Sequence, residues 1–211
     1  MTEARAATTL FGGVALLERA VSYTLGPLGL VTPALLTCRT PCRDWDLRAL
    51  LAHMSDSLAA LHEALDLREV DLEPEMDASP GSGPGSSSIP YACGADPAAD
   101  MVSALRGRAR RLLGMLAGTH DVPVSIGGSL LPASIVTSVG AIDIAVHGWD
   151  VARACGAARP IPEPLAEEML AISPLFVSRA DRPSRFAPPV PVPAGASASD
   201  RLVAYLGRDP A

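Results

Sequence analysis

Residues 133–154 read ASIVTSVGAIDIAVHGWDVARA, and between Ala133 and Ala152 the only ionisable side chains are Asp143, His147 and Asp150. Everything else there is apolar or small on nearly every side. A helix with no polar face is one surrounded by protein, so the stretch predicts a core helix ending before Gly156. Placed at about 100° per residue, Ile135, Val139, Ile142, Val146 and Trp149 share one stripe. Asp143 falls at its edge, and His147 one turn on, about 40° away. An isolated carboxylate in such surroundings costs several kcal/mol or takes up a proton. A metal ion removes the cost by supplying positive charge to carboxylate and imidazole together, and i, i+4 is ligand spacing.

Working outward, Leu10, Val14, Leu17, Val21 and Leu25 keep the spacing of a first helix, broken by Gly26 and Pro27. Leu47, Leu50, Leu51, Met54, Leu58, Leu61 and Leu65 form the stripe of a second helix, from about Leu47 to Leu67, with Asp46 as its cap. Asp96 followed by Pro97 starts a third helix, which Gly118 stops. Between the second and third lies SPGSGPGSSSIP, Ser79 to Pro90, read as a crossover loop or lid. Val122 to Ile126 with Gly127-Gly128 predicts a short hairpin or extended turn before the core helix. Beyond Gly156, Leu165 to Phe176 reads as a fifth helix despite Pro174, Phe186 to Ala194 as extended polyproline-like chain, and Ser197 to Leu206 as a last helix. The expected fold is all-α. It is an up-down four-helix bundle over residues 1–156, with 157–211 as a tail packed along it rather than a second domain.

Composition narrows the function. All 17 basic residues are Arg, and Lys, Asn and Gln do not occur. A Walker-type phosphate loop, a Schiff-base lysine and a Cys-His-Asn site are therefore excluded. A net charge of −6 with 4% aromatic residues argues against nucleic acid as a partner. Two long uncharged runs, Ala20 to Cys38 and Val122 to Ile142, carry Pro and Gly inside them and read as helix ends with turns, not membrane spans. Four irregularly spaced cysteines and the lack of a leader-like start point to reduced thiols and a cytoplasmic protein. Few charges are compatible with a homodimer through exposed helix faces.

A third ligand has to come from His53, His62 or His120. His62 falls among acidic residues and His120 in a turn, whereas His53 is flanked on its helix by Ala49, Ser57 and Ala60, which leave room beside it. The candidate set is His53, Asp143 and His147. Two imidazoles and a carboxylate leave at least one coordination position open. The competing reading is a buried Asp143-His147 pair with His53 as a core histidine, or Asp143 paired with an Arg. Cys42 and Cys155, about three turns from His53 and two from His147 along straight helices, are not expected ligands.

Thr40-Pro-Cys-Arg-Asp-Trp-Asp-Leu-Arg-Ala-Leu-Leu-Ala-His53 resembles the T-P-C-x-x-W-x-[VL]-R-x-L-[VL]-x-H entry to helix two in the DinB-like, mycothiol-dependent maleylpyruvate isomerase superfamily. Asp143-Ile-Ala-Val-His147-Gly-Trp-Asp-Val-Ala-Arg-Ala is similar to that superfamily's D-x-x-[VL]-H-x-W-D-[LV]-A-R-A motif. Phe186 to Ala194, with Asp200-Arg-Leu, resembles the tail of its short metal-binding branch. The resemblance implies a DinB-like bundle holding a divalent metal through His53, Asp143 and His147. Zinc is the expected ion, with iron or nickel as alternatives. Trp45 and Trp149 match structural positions, and Asp150 a position that orients a ligand or caps its helix. The characterised isomerases carry Glu at the position of Asp143 and a further C-terminal domain that supplies an Arg, whereas this sequence ends at Ala211. Isomerisation of maleylpyruvate is thus not the expected reaction.

The resemblance implies mycothiol as co-substrate, held as a thiolate on the metal and transferred to a small electrophilic molecule. With water in its place, the same site becomes a hydrolase, lyase, isomerase or cyclase acting on a small metabolite. A non-catalytic metal-binding protein is the third reading. A solvent-filled pocket beside the ligands separates an enzyme from a structural site closed by four protein donors.

Overall fold

The computed structural model of the protein describes residues 12–42, 45–70, 96–118, 123–180, 182 and 186–211. The expected lid at Ser79 to Pro90 and His120 lie outside the described residues. Among those described there are six α-helices: α1 Gly13–Thr24, α2 Leu47–Leu67, α3 Pro97–Leu116, α4 Ala133–Ala154, α5 Glu163–Phe176 and α6 Ala198–Tyr205. Two 3-10 turns, Pro27–Leu30 and Pro33–Leu35, fill the way from α1 to α2. The uncharged run Ala20 to Cys38 is thus a helix end followed by turns.

The caps read from sequence are present. The Asp46 carboxylate accepts from the Ala49 N–H at 2.8 Å, and Asp96 from those of Ala98 and Ala99 at 2.9 and 3.1 Å. Each satisfies donors that the first turn of a helix otherwise leaves unpaired. Every leucine of the predicted α2 stripe, with Met54, is buried, each such side chain contributing about 1.5–3 kcal/mol.

The all-α expectation is corrected by a three-stranded sheet ordered β1-β2-β3, with β1 Glu69–Val70, β2 Pro123–Ile126 and β3 Ser129–Pro132. β2 and β3 are the hairpin, antiparallel with Ile126 opposite Ser129, and both loop glycines have positive φ, 54° and 79°. That is what a two-residue hairpin turn requires. β1 runs parallel to β2. It begins where Arg68 turns left-handed, φ 58°, at the end of α2, and the Arg68 carbonyl accepts from the Ser125 N–H at 2.9 Å. A two-residue strand is too short to show a period of two.

α4 is buried along nearly its whole length and packs against α1, α2 and α5. It is long and apolar enough to cross a membrane, yet 78% of its apolar window is buried inside the protein, so here it is the core helix. Its contact with α1 is close because Gly148 has no side chain: a Cβ there would lie 2.5 Å from Thr24 Oγ1, whose hydroxyl donates to the Ile144 carbonyl at 2.9 Å. Gly148→Ala is expected to destabilise the fold by about 1–3 kcal/mol through overpacking, read as a lower urea midpoint with an unchanged slope.

The C-terminal segment shares this core. Ile161, Leu165, Met169, Leu202 and Leu206 are buried in the same apolar cluster as the side chains of α1 to α4. Arg19 of α1 holds Glu168 of α5 through two bonds, at 3.0 and 2.6 Å, and Tyr23 donates to the Arg159 carbonyl at 2.8 Å. The Tyr205 hydroxyl donates to the Val177 carbonyl at 3.1 Å. Residues 186–194 form neither helix nor strand until the turn at Ala194.

Candidate metal centre

α2 and α4 lie side by side, and their apolar stripes fix which flanks meet. His53 projects from the second turn of α2, Asp143 and His147 from successive turns of α4. Asp143 Oδ1 stands 3.3 Å from His147 Nε2 and 3.7 Å from His53 Nε2. One donor atom from each residue lies within 4.8 Å of the others. Donors bound to one tetrahedral ion at about 2.0–2.2 Å stand roughly 3.3 Å apart, so the three side chains fit a shared divalent metal in number, chemistry and spacing. The structure thereby brings together the three residues picked from the sequence.

The charges support one another. Burial works against ionising Asp143, but the hydrogen bonds and charges of His147 and His53 prevail, holding its carboxyl far below the usual carboxylate range. Burial likewise opposes a proton on His147, and Asp143 and Asp150 outweigh it, raising the imidazole to about 9. Without a metal, a proton on His147 is the positive charge between the two carboxylates.

Asp150 has no exposed surface, and its Oδ2 stands 3.0 Å from His147 Nδ1 and 3.1 Å from Arg208 Nη2. A carboxylate on Nδ1 keeps that nitrogen the N–H side of the ring and leaves Nε2 to face Asp143 and His53. His62, by contrast, lies on another side of α2, in a small groove with Arg108 and Arg111.

Two expectations are revised. Trp149 is the core residue it was read to be, but Trp45 belongs to the site: its ring centroid is 4.5 Å from that of His53 and 6.0 Å from that of His147. A straight helix would put Cys42 about three turns from His53. In fact α2 begins only at Leu47, and residues before it fold back, with an Arg39–Asp46 bridge and the Thr40 hydroxyl bonded to the Cys42 and Trp45 carbonyls. Cys42 consequently comes within 4.8 Å of donor atoms of both His147 and Asp150. That second group is the poorer metal site, since its Asp150 carboxylate is already held by Arg208 and His147.

The donors open onto a pocket of about 580 Å³. Its other wall comes from Phe176, Val177, Phe186, Leu206 and Arg208 of the C-terminal segment. Sequence reasoning missed these residues because no periodicity links the ends of α5 and α6 and the proline-rich stretch between them to a site about 30 residues or more earlier.

Residues 17–152, more than half of the chain and including His53, Asp143, His147 and Asp150, match the family model described as mycothiol maleylpyruvate isomerase N-terminal domain. Comparison with curated proteins and with solved structures finds no match. On that match and this arrangement of helices and donors, the chain belongs to the mycothiol maleylpyruvate isomerase N-terminal domain family.

Proposed function

We propose that the protein is a divalent-metal-dependent enzyme that transfers a thiol, with mycothiol as co-substrate, to a small electrophilic molecule. The observation that carries this reading is the pocket beside the three donors: a purely structural metal would have its coordination closed by protein, whereas here His53, Asp143 and His147 form one wall of a space large enough for substrate. Zinc suits two imidazoles and a carboxylate. Bound there, it supplies the positive charge that makes a thiol a thiolate at neutral pH.

The chain's own residues divide the remaining work. Asp150 orients His147, and Trp45 packs against both imidazole rings. Phe176, Val177, Phe186 and Leu206 keep water from the space where the acceptor sits. In this reading α1 to α4 are an up-down bundle, residues 157–211 a wall of the same unit rather than a second domain, and the protein a cytoplasmic enzyme acting on a small molecule.

The test replaces zinc with cobalt and titrates mycothiol while recording the absorption spectrum. The expected result is a new sulfur-to-cobalt charge-transfer band that saturates, absent with the S-methylated thiol. A cobalt protein whose spectrum ignores the thiol would leave a metal site but sink the transferase reading.

A further inference from the structure

Arg208 is a buried cation at the far end of the chain, outside the matched region, and the backbone is built to aim it. α6 ends in a Schellman turn: the Gly207 N–H donates to the Ala204 carbonyl at 3.0 Å and the Arg208 N–H to the Val203 carbonyl at 2.9 Å. Gly207 is required twice over. Its φ is +85°, and a Cβ there would lie 2.6 Å from the Ala187 carbonyl oxygen. From this turn the guanidinium reaches Asp150: Nη2 is 3.1 Å from Oδ2 and Nε 3.5 Å from Oδ1, while Nη1 donates to the Leu206 carbonyl at 3.0 Å.

We propose that Arg208 is a positioning residue of the metal centre, acting through Asp150 on His147. The inference rests on the metal reading above. A fully buried carboxylate needs a cation beside it, and Arg208 is that cation. It fixes Asp150 at two points, and Asp150 in turn holds His147 Nδ1, so that Nε2 stays directed at the space it shares with Asp143 and His53. The C-terminal segment is then part of the metal centre without supplying a ligand. Groups that hold a ligating histidine in this way are worth about 10–100-fold in metal affinity.

The experiment measures zinc affinity by chelator competition and the cobalt ligand-field spectrum for the full chain and four variants: Arg208→Met, Asp150→Asn, their double variant, and Arg182→Met. Arg182 anchors the same segment through the Ala187 and Tyr205 carbonyls, whereas Asp150 is bonded by His147 and Arg208, so Arg182 controls for tail docking. Arg208→Met is expected to weaken zinc binding about 10–100-fold and to shift the cobalt bands. In the Asp150→Asn background it should add less than about threefold, because the two act in series. Arg182→Met should lower the melting temperature and leave zinc affinity unchanged.

The proposal is overturned if folded Arg208→Met binds zinc as the wild type does. Equal zinc loss in Arg182→Met, or a full additional loss in the double variant, overturns it as well. Failure of the metal reading shows separately, as a wild-type chain that binds neither zinc nor cobalt, and would take this proposal with it.

Discussion

Asp143→Asn and His147→Ala are each expected to abolish metal retention, whereas Cys42→Ser keeps about one ion per chain by elemental analysis of protein purified without added metal. Asparagine preserves the volume of Asp143 but removes the negative charge that both imidazoles face. Alanine at 147 removes the donor shared by both candidate groups. Cys42 belongs only to the group whose carboxylate is already occupied, so its loss discriminates between them. If Cys42→Ser were empty and Asp143→Asn full, the assignment would be reversed.

Acid should act in the same direction as these substitutions. His147 is raised from 6.5 to about 9 by Asp143 and Asp150, against the cost of its burial. Below about pH 9 a metal must therefore displace its proton, and apparent affinity should fall about tenfold for each pH unit of acidification. Asp143, held far below the usual range, contributes no such dependence near neutrality. His53, Asp150 and Arg208 also stand around the site, so the slope is best compared between wild type and Asp150→Asn.

The helical frame was legible because each long helix carries its own signals. Asp46 and Asp96 mark two starts, Gly156 one stop, and a continuous apolar surface marks α4 as the core. Those signals are local, and the physics that reads them needs only neighbouring residues. β1 was not legible, since its two residues make a strand only by pairing with β2, more than 50 residues later.

For the site the division is similar. Asp143 and His147 advertise themselves as ionisable groups one turn apart on an apolar helix, and His53 follows from the small residues beside it. Trp45 and Cys42 did not: the resemblance puts Trp45 with Trp149 at a structural position, and helical spacing carried past the Asp46 cap puts Cys42 too far from His53. Arg208 did not either: nothing around Gly207-Arg208 in sequence says that Asp150 will be its partner. The resemblance of motifs agrees with these donors, but the tail wall lies outside the matched residues and came only from the structure.

The buried pair gives the largest stability effect. Asp150→Ala is expected to destabilise the metal-free protein by about 3–5 kcal/mol, because it strands Arg208, only 8% exposed, without its counter-ion and leaves His147 Nδ1 without an acceptor. The size of that loss is not the net worth of the pair. Bringing both charges out of water costs nearly what their attraction returns, so replacing both by apolar groups of similar size should undo most of the damage. Asp150→Leu combined with Arg208→Met is therefore expected to unfold in urea at a midpoint well above that of Asp150→Ala, while holding metal poorly. A double variant no more stable than the single one would mean that the pair itself, rather than an uncompensated charge, stabilises this end of the fold. Recovery of stability without recovery of metal would separate the two tasks of Asp150, since packing tolerates leucine there but only an acceptor at that position can orient His147.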